Sequence, residues 1–219
     1  METPDLFATE GGIQAPEHLQ LGAGTWLLRG HVLPQVEALM AALDSVVQAA
    51  PLRQMETPGG FTMSVAMSNC GELGWISDRQ GYRYSPVDPQ SGRPWPPMPG
   101  LLRSLAQEAA ATAGFEGFAP DACLVNRYLP GTRLTLHHDH DERDFSAPIV
   151  SVSLGMEATF LLGGLRRADK PQRVPLRHGD VLVWGGVDRL RFHGVAPLRD
   201  RPHALLGHQR FNLTLRKAA

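Results

Sequence analysis

Cysteine is almost missing from these 219 residues: Cys70 and Cys123 are the only two. They are too few for a disulfide framework and lack the spacing of a metal knuckle. An excess of either charge is missing too, with 21 basic against 22 acidic side chains and a net charge of −1. No global positive field exists to hold a polyanion or an anionic membrane, so any nucleic acid must be met by a local patch. No run approaches the ~18 consecutive apolar residues of a membrane span, and no membrane partner is expected. The opening Met1-Glu-Thr-Pro-Asp5 carries neither the basic nor the apolar part of a signal peptide, which makes the reduced cytoplasm the expected compartment. What the chain does have is 23 glycines and 18 prolines. That is well above the roughly 12% combined average, and it argues for many turns and against a bundle of long helices. With 42% apolar residues and no obvious linker or internal repeat, residues 1–219 read as one globular domain, expected to be monomeric.

Two helices are legible. From Pro34, the residues Val36, Leu39, Met40, Leu43, Val46 and Val47 form one apolar stripe that must end before Pro51. A second stripe runs from Leu101 to Ala113, with Gly114 as its stop. Between them, residues 52–99 are rich in Gly, Pro, Met and aromatics with little periodicity, which suggests short strands and a mobile flap. From about residue 120, short β-rich runs at Ala122–Tyr128, Arg133–His137, Ile149–Leu154, Thr159–Leu162, Val181–Trp184 and Arg210–Leu215 are separated by Gly/Pro/Asp turns. The expected class is α+β: a double-stranded β-helix, or jelly roll, over about 120–219, with supporting helices outside and the flap at about 52–99.

The densest chemistry is Leu134-Thr-Leu-His-His-Asp-His-Asp141. Strand alternation places His137, Asp139 and Asp141 on one face with Arg133 and Thr135. His138 and His140 fall on the other face, with Leu134 and Leu136, which should pack outward against a helix layer. His137-x-Asp139 supplies one imidazole and one carboxylate; His193, after the predicted strand Val181–Trp184, supplies the third ligand of a facial triad that leaves open positions on Fe(II). Taken alone, His-x-Asp is most often solvated surface, and Zn²⁺ accepts the same ligands. His31, His178, His203 and His208 read as turn, surface or satisfied histidines.

Arg210-Phe-Asn-Leu-Thr-Leu-Arg216 alternates without a break, with Arg210, Asn212, Thr214 and Arg216 on one face and Phe211, Leu213 and Leu215 on the other. Two placements are open: apolar face inward with both arginines in water, or polar face toward a barrel lumen with the apolar face under helices. The same phase in Leu134–Asp141 favours the second. There the two guanidiniums could take the ends of a short dicarboxylate, with Asn126 and Tyr128 of the Ala122–Tyr128 run adding an amide and a phenol.

These residues resemble a known family. His137-x-Asp139, His193, Arg210-x-Asn-x-x-x-Arg216 and Asn126-Arg-Tyr128 are similar to the Fe(II)/2-oxoglutarate dioxygenases of the AlkB nucleic-acid demethylase family, close to its bacterial members. The likeness runs through Gln54–Met67, Pro120–Tyr128, Ala147–Gly155 and His178–Gly186, covering most of the chain from about residue 50. It implies Fe(II) on His137, Asp139 and His193, with 2-oxoglutarate and O₂ as co-substrates. It implies that Arg210 and Tyr128 hold the distal carboxylate of 2-oxoglutarate, that Arg216 and Asn126 attend its chelating end, and that Asn212 lies between.

The same resemblance implies oxidative demethylation of N1-methyladenine and N3-methylcytosine in single- or double-stranded DNA, with release of formaldehyde. Within it, Trp75 stacks on the base opposite His137, and Met63, Tyr82, Arg83, Tyr84 and Arg167 contact substrate, Arg167 in a basic loop with Arg166, Lys170 and Arg173. Asp141 reads the exocyclic amino group. Without the resemblance, Trp75, Tyr82 and Tyr84 would serve equally well as core. His138 and His140 depart from the family's residues and are expected to face solvent. RNA demethylation, protein hydroxylation by the same chemistry and non-catalytic binding of damaged bases stand as the alternatives.

Overall fold

The computed structural model describes residues 17–219, so the opening segment that bears on a signal peptide lies outside the described residues. Strands β1 (His18–Gly22) and β2 (Thr25–Leu28) precede helix α1 (Val36–Ala49). Strands β3 (Arg53–Glu56), β4 (Thr62–Gly71), β5 (Gly74–Asp78) and β6 (Gly81–Ser85) lead to helix α2 (Gly100–Thr112). Then follow β7 (Ala122–Tyr128), β8 (Leu134–His137), β9 (Ile149–Gly155), β10 (Ala158–Leu162), β11 (Gln172–Leu176), β12 (Val181–Trp184), β13 (His193–Val195) and β14 (Arg210–Arg216).

Both helices stand within a residue or two of the apolar stripes. Pro34 lies in a 3-10 turn, Leu33–Gln35, that leads into α1, where a missing backbone N–H goes unnoticed. Ala50 turns extended before Pro51, as the residue ahead of a proline must.

The strands form a jelly roll of two antiparallel sheets, one of eight strands in the order β1-β2-β12-β9-β14-β7-β4-β3 and one of four in the order β11-β10-β13-β8. The hairpin β5-β6 stands apart from both. The Gly/Pro-rich stretch 52–99 therefore divides: β3 and β4 extend the large sheet through β7, and the hairpin alone projects beside it.

Packing decides which face of β14 looks inward. Phe211, Leu213 and Leu215 join Leu39, Leu43 and Val46 of α1 and Leu102, Leu105 and Ala109 of α2 in one buried cluster. Arg210, Asn212, Thr214 and Arg216 consequently turn toward the second sheet, and all four are buried. Among the described residues helices cover the large sheet only on this side, so Leu134 does not pack under them as its alternation suggests. It rests instead on the apolar cluster between the sheets, with Tyr128, Phe160, Leu162 and Trp184.

Candidate active site

His137 closes β8 and His193 opens β13, and the two are directly paired across the antiparallel register. Their rings lie 4.4 Å apart, centroid to centroid. The strand stops at His137, so Asp139 and Asp141 reach the site from a loop rather than by strand alternation. Asp139 nevertheless completes the cluster: one ligand atom from each of His137, Asp139 and His193 lies within 4.8 Å of the others. Each imidazole is oriented through Nδ1, which donates to a backbone carbonyl, Thr135 O at 2.9 Å for His137 and Arg191 O at 3.0 Å for His193. That tautomer leaves both Nε2 lone pairs aimed at the cluster, the usual arrangement of metal-binding histidines. Burial, reinforced by His137 nearby, holds the His193 pKa down to about 4, so the ring is neutral and can ligate at neutral pH. Burial alone would discourage charge on Asp139, but Arg216, His193 and His137 together hold its carboxyl well below the ordinary range.

Deeper in, Arg210 pairs with Tyr128 across β14 and β7, and Asn212 pairs with Asn126. The Arg210 guanidinium lies over the Tyr128 ring at 5.0 Å and donates from Nη2 to Ser153 Oγ at 3.0 Å. Its Nε and Nη1 are buried with no hydrogen-bond partner among the described residues. A guanidinium that is 1% exposed and half-satisfied is costly to fold unless an anion takes the remaining donors. Burial lowers the Arg210 pKa and raises that of Tyr128, which keeps the phenol a proton donor. On the far side of Arg210, Gly155 makes the approach possible. Its φ is +90°, and a Cβ there would meet the Gln209 carbonyl at 2.5 Å. Asn212 is fixed by donating to Ser151 Oγ at 2.7 Å and Val152 O at 3.0 Å, while Arg216 reaches the His137–Asp139–His193 cluster and donates to Asp139.

A cavity of about 820 Å³ runs from these groups outward to the hairpin and takes in Met63, Trp75, Tyr82, Tyr84, Asp141 and Arg167. Trp75 and Tyr82 are stacked, with centroids 5.6 Å apart and planes 12° from parallel. Asn69 anchors the hairpin by bonding both the N–H and the C=O of Trp75 at 3.0 Å. Trp75 Nε1 donates to Asp141 Oδ2 at 2.8 Å, and Tyr84 OH donates to Glu142 Oε1 at 2.7 Å. Arg83 is not brought to this cavity. It lies opposite Ile76 on the other face of the hairpin and forms a two-pronged pair with Asp78 at 2.9 and 2.7 Å.

Arg167 lies over the Phe192 ring at 5.5 Å, and His138 packs T-shaped against the same ring with centroids 4.6 Å apart. His140 is exposed as expected, whereas His138 is half-buried against Phe192 at the cavity mouth. Arg173 belongs to β11 rather than to the basic loop. Of the histidines read as structural, His178 accepts the Gly155 N–H and His208 pairs with Asp200.

Two further residues escape the sequence reading: Glu142 and Arg189, both buried and 3.1 Å apart. The only available signal was their position, Glu142 directly after the Asp139-His-Asp141 run and Arg189 four residues before His193.

Residues 24–216 match the family model described as 2OG-Fe(II) oxygenase superfamily. The chain belongs to that superfamily. It is 53% identical over 214 residues to the Alpha-ketoglutarate-dependent dioxygenase AlkB of Escherichia coli K12, covering 98% of this chain and 97% of that one. It is 35% identical over 132 residues to the human Nucleic acid dioxygenase ALKBH1, covering 60% of this chain and 33% of that protein. Among solved structures, OsALKBH1 superposes with a TM-score of 0.79 at 28% identity, covering 92% of this chain and all of that one. The protein is thus an Fe(II)- and 2-oxoglutarate-dependent dioxygenase of the AlkB type. The geometry fits the cofactors the family requires: two imidazoles and one carboxylate for Fe(II), and in Arg210 a buried cation with two unpartnered nitrogens for a carboxylate of 2-oxoglutarate.

Proposed function

We propose that the protein repairs alkylated nucleic acid by removing the methyl group of N1-methyladenine and N3-methylcytosine in DNA, single- or double-stranded. It does so as a monomer in the cytoplasm, with RNA a second substrate to be tested beside DNA. The observation that carries this reading is the outer wall of the cavity, where an aromatic pair, Trp75 on Tyr82, is hydrogen-bonded to Asp141 and opens onto the same space as His137, Asp139 and His193. A base inside a duplex cannot reach a buried metal, so it must be flipped out or presented single-stranded and held by its π face.

The work of the chain is positioning. Trp75 offers the base a flat surface on a hairpin that Asn69 fixes. Asp141 keeps one oxygen on Trp75 and has the other for an exocyclic amino group, and its charge favours the cationic methylated ring over the neutral normal base. Arg210 and Tyr128 would hold the distal carboxylate of 2-oxoglutarate, with Asn126, Asn212 and Arg216 toward its keto end. Met63 and Tyr82 close the outer wall, and Arg167 stands at the mouth for a backbone phosphate. When bound, iron and 2-oxoglutarate supply the oxidation of the methyl group by O₂, with succinate, CO₂ and formaldehyde as products.

The test is formaldehyde release from an N1-methyladenine oligonucleotide, in DNA and RNA form, with and without iron and 2-oxoglutarate. His137→Ala and Asp139→Ala should each abolish it. Product formed without 2-oxoglutarate, or normal turnover by either variant, would sink the reading.

A further inference from the structure

Glu142, 6% exposed, touches both arginines that hold the ligand Asp139. Its Oε1 lies 3.3 Å from Arg216 Nε, and Arg216 Nη2 donates to Asp139 Oδ2 at 2.6 Å. Its Oε2 lies 3.1 Å from Arg189 Nη2 as an ion pair without hydrogen-bond alignment, and Arg189 Nη1 donates to the Asp139 carbonyl at 3.1 Å. Arg189 Nε also donates to Ala147 O at 3.1 Å, so this one guanidinium spans the loop that carries Asp139, Asp141 and Glu142. The last contact comes from outside the jelly roll, where Tyr84 of the hairpin gives its hydroxyl proton to Glu142 Oε1 at 2.7 Å. Burial raises the Tyr84 pKa well above that of a free phenol, which keeps the donor in place at every working pH.

We propose that Glu142 is a positioning residue for the metal and 2-oxoglutarate sites: it aligns Arg216 and Arg189 on the two ends of Asp139, and Tyr84 completes its hold when the hairpin is seated. Two carboxylates and two guanidiniums share one largely buried space, so each charge depends on the others for compensation. Without Glu142, Arg189 loses its only anionic contact among the described residues and Arg216 keeps one carboxylate instead of two. Asp139 would then be held by a guanidinium free to tilt. The hairpin is tied to the site by a contact that needs no base, and its seating strengthens metal and keto-acid binding before substrate arrives. This inference rests on the dioxygenase assignment and not on demethylation.

The test uses the full chain stripped by chelator, titrated with Co(II) by visible absorption and then with 2-oxoglutarate by calorimetry, with no nucleic acid present. Glu142→Gln keeps the shape and removes the charge; it should weaken Co(II) binding about tenfold, the scale of other outer contacts to metal ligands, and 2-oxoglutarate similarly. Tyr84→Phe removes one hydroxyl and should weaken 2-oxoglutarate binding about threefold. Because the hydroxyl acts through Glu142, the double variant should bind no worse than Glu142→Gln. Wild-type affinities in Glu142→Gln, or single-variant effects that multiply in the double, would overturn the proposal. Should Glu142→Gln fail to fold, Tyr84→Phe decides alone, and unchanged 2-oxoglutarate affinity there would overturn it. No methylated base enters any arm, so failure here is separate from failure of the demethylase reading.

Discussion

Arg216 donates two hydrogen bonds, from Nε at 3.0 Å and Nη2 at 2.6 Å, to a single oxygen of Asp139. The other oxygen, Oδ1, is left facing His137 Nε2 at 3.6 Å. One carboxylate is thus divided between a cation that fixes its rotation and a cluster it shares with two imidazoles. The pairing is favourable for both partners despite burial, since Asp139 lies low for a carboxyl and the Arg216 guanidinium is raised above its ordinary value.

Replacing Arg216 by Met should therefore leave a buried carboxylate with no cation in contact. Breaking a buried pair from one side costs about 3–5 kcal/mol, which lowers Tm by on the order of 10 °C in a chain of this size. Arg216→Lys restores charge without the two-pronged geometry and should fall between. Thermal melts of the chelated protein check this, and a Met variant melting with the wild type would mean that the pair contributes nothing.

Arg210 behaves in the opposite sense. Its two unpartnered nitrogens make it a burden on the protein without a ligand. Arg210→Met should melt at or above the wild-type temperature when no keto acid is present. The wild type should gain about 2.7 kcal/mol from 2-oxoglutarate at a hundred times its Kd, and the Met variant should gain nothing. A 2-oxoglutarate-induced Tm shift that survives in Arg210→Met would place the keto acid elsewhere.

How far the sequence could be read follows from which periods are long enough to see. Strand β14 alternates over seven residues, so its two faces were legible, and the apolar stripes of both helices explain why the polar face turns inward. Strand β13 has three residues and no measurable period, so the direct pairing of His193 with His137 was invisible although both were legible as ligands. Strand β11 is an edge strand carrying Pro175 and Arg173, residues that edges tolerate and that read as loop. Asp139 was found by a strand phase that ends at His137; the one-residue gap put it in the site for a different reason, the pull of Arg216 and Arg189 on the loop. Glu142 and Arg189 have no local pattern, because what makes them matter is a pairing 47 residues apart in the chain (189 − 142).

The Trp75–Tyr82 pair should carry binding of the base rather than the handling of 2-oxoglutarate. Stacking on an aromatic side chain is worth about 1–3 kcal/mol per base, so Trp75→Ala should lose about ten- to a hundredfold in kcat/KM for a methylated oligonucleotide. The slow decay of 2-oxoglutarate without nucleic acid should fall much less. Equal losses in the two rates would take the stacking role away from Trp75 and leave it as a prop for Asp141.

Acid should unfold the metal-free protein through His193 before it protonates Asp139. The His193 pKa is near 4 in the folded chain and about 6.5 in an unfolded one, so between those values the unfolded state binds more protons. Stability from this group is fully present above about pH 6.5 and is lost as pH falls through 4. The loss is up to about 3 kcal/mol, since each unit is worth 1.36. Asp139, whose folded value is depressed below the ordinary carboxyl range, adds its own loss only below about pH 4, where an unfolded aspartate takes up its proton. Urea titrations of the chelated protein between pH 4.5 and 7.5 should show stability rising with pH. The slope should shrink in His193→Asn, a comparison that cancels the contributions of titrating groups not coupled to this ring. Parallel slopes in the two proteins would mean that the His193 ring takes up its proton as easily inside the fold as outside it, and that burial beside His137 does not tune this ligand.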